Sequence, residues 1–278
     1  MEINFSEVEE GHTKMFIDSH CHLDYIFDFF PFYKLEEFFA HIKSTLPPTC
    51  RGLIPNFVEP KLFMKNITNN ANDYEPTWIW DVVKHPKVLG ASYGCHPHKT
   101  HLATDVFFDE LRRIAMNKET SKAVAIGECG VDLTNKNTHT LEEQLAVLER
   151  HVELAIELGL PVIIHSRTGP RGDPDDAVLS VLSKWKSKER DEPFLDCMRR
   201  IPLDRILLET DAPFFKPDYI EEPYNHFGAA VVVAFKIAAV KGITVDEVID
   251  ASRRNTVRLY ALDPDQVESE PDRPQPPI

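Results

Sequence analysis

Six short β-rich apolar runs alternate with longer stretches whose apolar residues recur every three or four positions, and this alternation constrains the fold most. The runs are "KMFIDSH", "RGLIPNF", "KVLGASYG", "KAVAIGE", "LPVIIHS" and "RILLETD". Between them lie "LEEFFAHIKSTL", "DVFFDELRRIAMN" and "LEEQLAVLERHVELAIELG". Short apolar runs make strands and recurrence at three and four makes amphipathic helices, so their alternation predicts a parallel α/β sheet with crossover helices. The third helical stretch follows Thr140, carries Glu143 at the capping-box position and stops at Gly159. After the sixth run the Pro-rich loop "APFFKPDYIEEP" leads to two further helices, over "HFGAAVVVAFKIAAVKG" and "TVDEVIDASRRNTVRLYAL".

Polar residues end nearly all of these runs. The first ends in His20 and His22, the third in His96 and His98, the fourth in Glu128, the fifth in His165, and the sixth in Glu209 and Asp211. A TIM-type barrel collects its chemistry at that rim, where residues from several strands converge on one mouth, so a single metal site is the economical expectation. Residues two apart on a strand face the same way at about 6.5–7 Å, which lets His20 and His22 approach one cation while Cys21 faces the outer helices. Imidazoles with carboxylates suit zinc or manganese, and magnesium once carboxylate and phosphate oxygens dominate. A lone HxH commonly closes a strand through a hydrogen bond, and only its convergence with Glu128, His165 and Asp211 turns the balance toward ligands. "GCHPH" also reads as a turn fixed by Pro97. Cys95 and Cys129 alternate away from the mouth, and Glu209 is expected one layer below Asp211. His12, His41, His85, His101, His139, His151 and His226 lack partners at useful spacing and are expected in solvent.

Charge and cysteine content narrow the function classes. A formal charge of −14 over 278 residues argues against a basic surface that grips long nucleic acid, although bound cations can supply positive charge locally. The five cysteines are odd in number and contain no CxxC pair, which fits reduced thiols rather than a disulfide framework. The N-terminus "MEINFSEVEEGHTK" is acidic where a signal peptide would be basic, and no apolar run approaches a membrane span, so an intracellular location, cytoplasmic or nuclear, with no membrane partner is expected. The acidic, Pro-rich "DQVESEPDRPQPPI" is too poor in apolar residues to pack. The expected organisation is a disordered tail over 1–13, one barrel domain over 14–265, and a disordered tail over 266–278.

"IDSHCHLD", "GCHPH", "AIGECGVDL", "PVIIHSR", "IPLDRILLETDAPFF" and "RRNTVRLYAL" together resemble, block by block and in order, the TatD-related metal-dependent deoxyribonucleases, amidohydrolase-like TIM barrels. The resemblance covers roughly residues 15 to 262. Glu128 stands where many amidohydrolases use a carboxylated lysine, which favours a nuclease over a cyclic-amide hydrolase. The resemblance implies that His20, His22, Glu128 and Asp211 hold one divalent ion (Mg²⁺, Mn²⁺ or Zn²⁺), with Glu128 and His165 reaching a second. It implies phosphodiester hydrolysis of DNA, and of RNA in some relatives, by removal of nucleotides from 3′ ends. Asp211 and Glu128 would be the catalytic carboxylates, and His96, Arg167 and Lys99 would meet the substrate phosphate. Short single strands reaching a compact mouth are the expected substrate; protein partners are not legible.

One interval departs from that pattern. Between "IIHSR" and "IPLDRILLETDAP" the family has two more strands, the first ending in a histidine block, whereas "TGPRGDPDDAVLSVLSKWKSKERDEPFLDCMRR" contains no histidine and no run long enough for two strands. "DDAVLSVLSKW" and "FLDCMRR" read as helices. The expected fold is an incomplete barrel with six of eight strands recognisable, arising from a shortened isoform, an imperfect gene model or a truly open barrel. The alternatives to a nuclease are a catalytically weakened binding or regulatory protein and a hydrolase of small amides or esters.

Overall fold

A computed structural model describes residues 13–29, 35–43, 45–64, 77–184, 199, 201–217, 220 and 223–268. Among these, five parallel strands form one sheet in chain order: β1 (Phe16–Cys21), β2 (Cys50–Phe57), β3 (Ala91–Tyr93), β4 (Ala123–Asp132) and β5 (Val162–Arg167). Sequential parallel neighbours require crossovers of one hand, which wraps the sheet into the arc of a barrel. The crossovers hold helices α1 (Leu23–Phe29), α2 (Leu35–His41), α3 (Thr77–Lys84), α4 (Asp105–Met116), α5 (Lys118–Ser121) and α6 (Leu141–Leu158). After β5 come α7 (Asp175–Ser183), α8 (Ala230–Lys241), α9 (Val245–Leu259) and α10 (Pro264–Glu268). The α6 ends form as the sequence dictates: Thr140 Oγ1 accepts from Glu143 N, Glu143 returns the bond to Thr140 N, and Gly159 closes the helix at φ 63°.

Alternation along the strands divides the apolar residues into two layers. Phe16, Cys21, Leu53, Phe57 and Tyr93 pack outward against helix residues such as Phe38, Phe107 and Val231. Ile17, Ile54, Leu89 and Ala125 point into the arc, where Tyr260, Leu262 and Val267 plug its lower end. Burying a Leu- or Phe-sized side chain contributes about 1.5–3 kcal/mol, so this plug fixes which end of the arc stays open for polar residues. It also revises the expected boundary at residue 265: α10 is ordered through Glu268, with Val267 buried and its carbonyl accepting from Arg51 Nε. Of the expected tail over 1–13, Thr13 is held by Asp246, to which it donates its N–H at 3.0 Å and its hydroxyl at 2.9 Å; residues 1–12, the rest of the C-terminal tail and most of "FLDCMRR" lie outside the described residues.

The sixth run does not form a regular strand. Residues 206–212 lie extended beside β1, with a single bridge between Cys21 and Ala212. Backbone bonds still join it to β1, with Asp211 N donating to His20 O at 3.1 Å and His22 N to Ala212 O at 2.6 Å, and side chains reinforce them. Ser19 donates its N–H and its hydroxyl to Leu208 O, both at 2.9 Å, while Leu208 N donates to Ser252 Oγ. The buried Asp18 carboxylate accepts from His20 N at 3.1 Å, Thr210 N at 3.2 Å and Thr210 Oγ1 at 2.5 Å. Burial pushes the Asp18 carboxyl well above its usual range, only partly offset by Thr210. On the opposite side of the arc, β5 pairs with β4 alone among the described residues, and its Val162, Ile163 and Ile164 are only half-buried. Among the described residues the arc is therefore open between β5 and the 206–212 segment, in keeping with the short interval in the sequence.

Candidate metal centre

The open mouth brings four side chains from three parts of the chain around one point. His20 Nε2 and His22 Nε2 lie 3.2 Å apart; Glu128 Oε2 is 3.5 and 3.3 Å from them, and Asp211 Oδ1 is 3.6 and 3.2 Å from them. A cation bonded at about 2.1 Å to tetrahedral ligands sets neighbouring ligands about 3.4 Å apart, which matches the separations among His20, His22 and Glu128 and those from Asp211 to the two histidines. Two ring nitrogens facing each other at 3.2 Å need a proton or a cation between them, and two carboxylate oxygens converging on the same point favour the cation. Asp211 reaches the cluster from left-handed backbone, φ 53°, which Asp tolerates better than most residues.

Protein contacts fix which nitrogen of each imidazole is available. His22 Nδ1 sits 3.2 Å from the carbonyl of Asn56, to which it can only donate, leaving the lone pair on Nε2. His20 Nδ1 faces Glu209 Oε2 at 3.9 Å, which likewise leaves Nε2 for the cluster. Glu209 was expected below Asp211; its carboxylate is half-exposed beside His20 and supports that ring. His165 places Nε2 at 3.3 Å from Asp132 Oδ2 and Nδ1 at 2.7 Å from Glu128 Oε1. Glu128 thus turns one oxygen to the His20–His22 pair and the other to His165. Burial pushes its carboxyl up, but the neighbouring His165, His20 and His22 outweigh this and hold it well below the usual range. His22 is pushed down by burial and raised above its ordinary value by Asp211 and Glu128.

His96, Glu128 and His165 bring ligand atoms within 4.8 Å of one another, a second potential cation group. His96 differs in its hydrogen bonding, however. Its Nδ1 accepts from His98 N at 3.2 Å, which makes Nε2 the protonated nitrogen and a donor. Burial lowers its pKa to about 3, so the ring is neutral near pH 7. Close approach of β4 and β5 requires glycine: at Gly130, φ 148°, a Cβ would lie 2.0 Å from His165 O.

Asp132 was not singled out in the sequence. Its buried carboxylate meets His165 Nε2 and His98 Nε2, the latter at 3.1 Å, and accepts from Thr134 N and Oγ1. Burial raises its pKa, but Thr134 and His98 outweigh this and take it to about 2. A signal was present, since a carboxylate four residues beyond Glu128 on one strand falls on the same face. Of the expected phosphate-binding residues, Arg167 is exposed at the end of β5, with no ion pair or hydrogen bond to its guanidinium among the described residues. Lys99 is instead paired with Glu59 at 2.6 Å. Cys21, Cys50, Cys95 and Cys129 are buried free thiols away from the cluster. His151 and His226 correct the expectation of solvated histidines. Both are fully buried, His151 against Phe107 and Phe108, and His226 bonded to Thr45 Oγ1 and Gly228 N.

Comparison with known proteins places this geometry in context. The profile of the TatD related DNase family matches residues 17–192 and 182–261, two pieces that meet in the interval lacking the two expected strands. The chain is 29% identical over 299 residues to the human 3'-5' RNA nuclease TATDN2, covering 92% of this chain but 36% of that protein. It is 28% identical over 220 residues to the 3'-5' ssDNA/RNA exonuclease TatD of Erwinia billingiae, covering 64% of this chain and 81% of that one. In structure it resembles YjjV, a TatD homologue from Escherichia coli, with a TM-score of 0.62 at 24% identity over 89% of this chain and 98% of that one. No single helix among the described residues is long and apolar enough to cross a membrane.

Proposed function

This chain belongs to the TatD related DNase family, and from that premise we propose that it is a metal-dependent nuclease hydrolysing phosphodiester bonds at 3′ ends of single-stranded DNA or RNA. The observation that carries the reading is the position of Glu128, one oxygen among the ligand atoms of His20, His22 and Asp211 and the other against His165. The set of His20, His22, Glu128 and Asp211 fits Mg²⁺, Mn²⁺ or Zn²⁺, which when bound would activate water and neutralise charge on the phosphate, and Glu128 with His165 would reach toward a second ion. The chain's residues do the rest. Asp211, with Oδ1 in the cluster, keeps its second oxygen to orient the attacking water and take its proton. His96 Nε2–H donates to a phosphate oxygen, and the Arg167 guanidinium at the rim offers a fork for the next phosphate. Lys99 would have to leave Glu59 to join them. The proposed domain spans 14–268, with α10 closing it. A cytoplasmic or nuclear setting keeps its four buried thiols reduced.

The two relatives named above carry different substrate names, so DNA and RNA are both tested. Single-stranded oligonucleotides of each kind, labelled at the 3′ or the 5′ end, are incubated with Mg²⁺ or Mn²⁺ and with a chelator. Stepwise loss of 3′ nucleotides that stops on chelation is the expected result. Chelator-resistant cleavage, or turnover of a cyclic amide in place of oligonucleotides, would refute it. A second reading, a weakened enzyme that binds nucleic acid, is favoured by the open edge of β5 and the absent histidine block. Retention of labelled oligonucleotide without turnover would select it.

A further inference from the structure

The turn after Asp211 carries two phenylalanines that burial does not explain. Phe215 is 73% exposed and Phe214 is 42% exposed. Phe215 also holds φ at 53°, a left-handed conformation that costs an aromatic residue of this bulk energy and persists where the surroundings enforce it. The turn is closed by Phe214 N donating to Asp211 O at 3.0 Å, so the rings are anchored to a residue of the metal cluster. Phe214 stands edge-on to His22 at 6.3 Å between centroids and to Tyr25 at 5.7 Å, while Tyr25 lies 5.3 Å from His22. One wall of the mouth is thus aromatic from the ligand His22 out to solvent, and the cationic Arg167 belongs to the opposite strand end.

We propose that Phe214 and Phe215 form a stacking platform for the nucleobase next to the scissile phosphate, so that substrate is selected by its possession of a base rather than by which base it carries. The inference rests on the nuclease reading and adds the occupant of this wall. A phosphate held at the cluster keeps its sugar and base one short tether away, and the face of any base matches an exposed phenyl ring without sequence discrimination. The continuity of the rings with His22 and Asp211 argues for a substrate group rather than a separate protein partner.

The test uses Phe215→Ala, whose exposed ring contributes little to packing, together with Phe214→Ala and the conservative Phe215→Trp. Each is assayed on a 3′-labelled single-stranded oligonucleotide and on the same strand with abasic sugars at its last two positions. Loss of one base–aromatic stack raises KM about tenfold. The expected result is that rise for Phe215→Ala on the intact strand, with kcat within about twofold, restoration by Phe215→Trp, and no difference between variant and wild type on the abasic strand. Equal KM values for variant and wild type on the intact strand, or an equal loss on both strands, would overturn the platform. If the wild type cleaves neither strand, the nuclease reading fails, and anisotropy of the labelled strands decides the platform separately. Weaker binding of the intact strand by Phe215→Ala supports it; unchanged binding sinks it and leaves the patch to a different partner.

Discussion

Nδ1 of His165 lies 2.7 Å from Oε1 of Glu128, while Oε2 of the same carboxylate lies 3.3 Å from Nε2 of His22. One side chain on β4 therefore ties the imidazoles of β1 to that of β5. Glu128→Gln keeps the shape but removes the charge and turns an amide N–H₂ toward one of the two sets. Metal affinity measured by calorimetry is expected to fall on the order of 100-fold, with the circular dichroism spectrum unchanged. Wild-type affinity in this variant would remove Glu128 from both donor sets.

The two sets are unequal. Four ligand atoms meet at His20, His22, Glu128 and Asp211, whereas His165 and Glu128 supply the second set with His96 committed as a donor. Titration with Mn²⁺ is expected to resolve one tight and one weak event per chain. Asp132→Asn, which removes the negative charge 3.3 Å from His165 Nε2, should weaken the second event by about 10- to 100-fold and leave the first nearly unchanged. Two equally tight ions in the wild type would show that another residue completes the second set.

His96→Ala should separate substrate handling from metal binding. The hydrogen bond from His98 N leaves Nε2–H as the group facing the mouth, and removing a donor to a charged phosphate costs about 1.5–3 kcal/mol, or roughly 10- to 100-fold in kcat/KM. The metal titration should be unaltered. A comparable loss of metal affinity would make His96 a ligand.

His151 links folding to pH away from the mouth. Its ring is fully buried on α6, donating Nδ1–H to Val147 O, and burial lowers its pKa from 6.5 to about 4. The unfolded chain takes up a proton as pH falls below 6.5, and the folded chain does not until about 4. Stability is therefore complete above pH 6.5 and declines by about 3 kcal/mol on the way to pH 4. Urea unfolding at pH 7 and pH 4.5 should show a smaller acid loss in His151→Leu than in the wild type. Equal losses in the two proteins would assign the acid sensitivity to other groups.

The strand ends were legible because period-two alternation and the C-terminal rim of a parallel barrel together predict which polar residues converge. His20, His22, Glu128, His165 and Asp211 meet for that reason. Features set by partners distant in sequence were harder to read. The sixth run looks like a strand and keeps backbone bonds to β1, yet it forms one isolated bridge, and the Ser19, Asp18 and Ser252 side chains take up further backbone groups along it. Lys99 looked available until Glu59 was placed beside it. His151 sits on an amphipathic helix at a position that only the packing of Phe107 and Phe108 against it reveals as interior. Asp132 lies beyond the polar end of its apolar run, and only its spacing from Glu128 marks it as sharing that face.

The grip of Asp18 on Thr210 has a consequence for the order in which the protein is made. The two residues are 192 positions apart, and the same clasp sets His20 and Asp211 side by side. On the ribosome His20 and His22 emerge first, Glu128 follows, and Asp211 comes last of the four. Until then the histidines of the first strand have no partner from the far end of the arc. A chain interrupted before Thr210 lacks both the clasp and Asp211, so tight metal retention is expected only of a polypeptide whose residues beyond Thr210 have closed back upon β1.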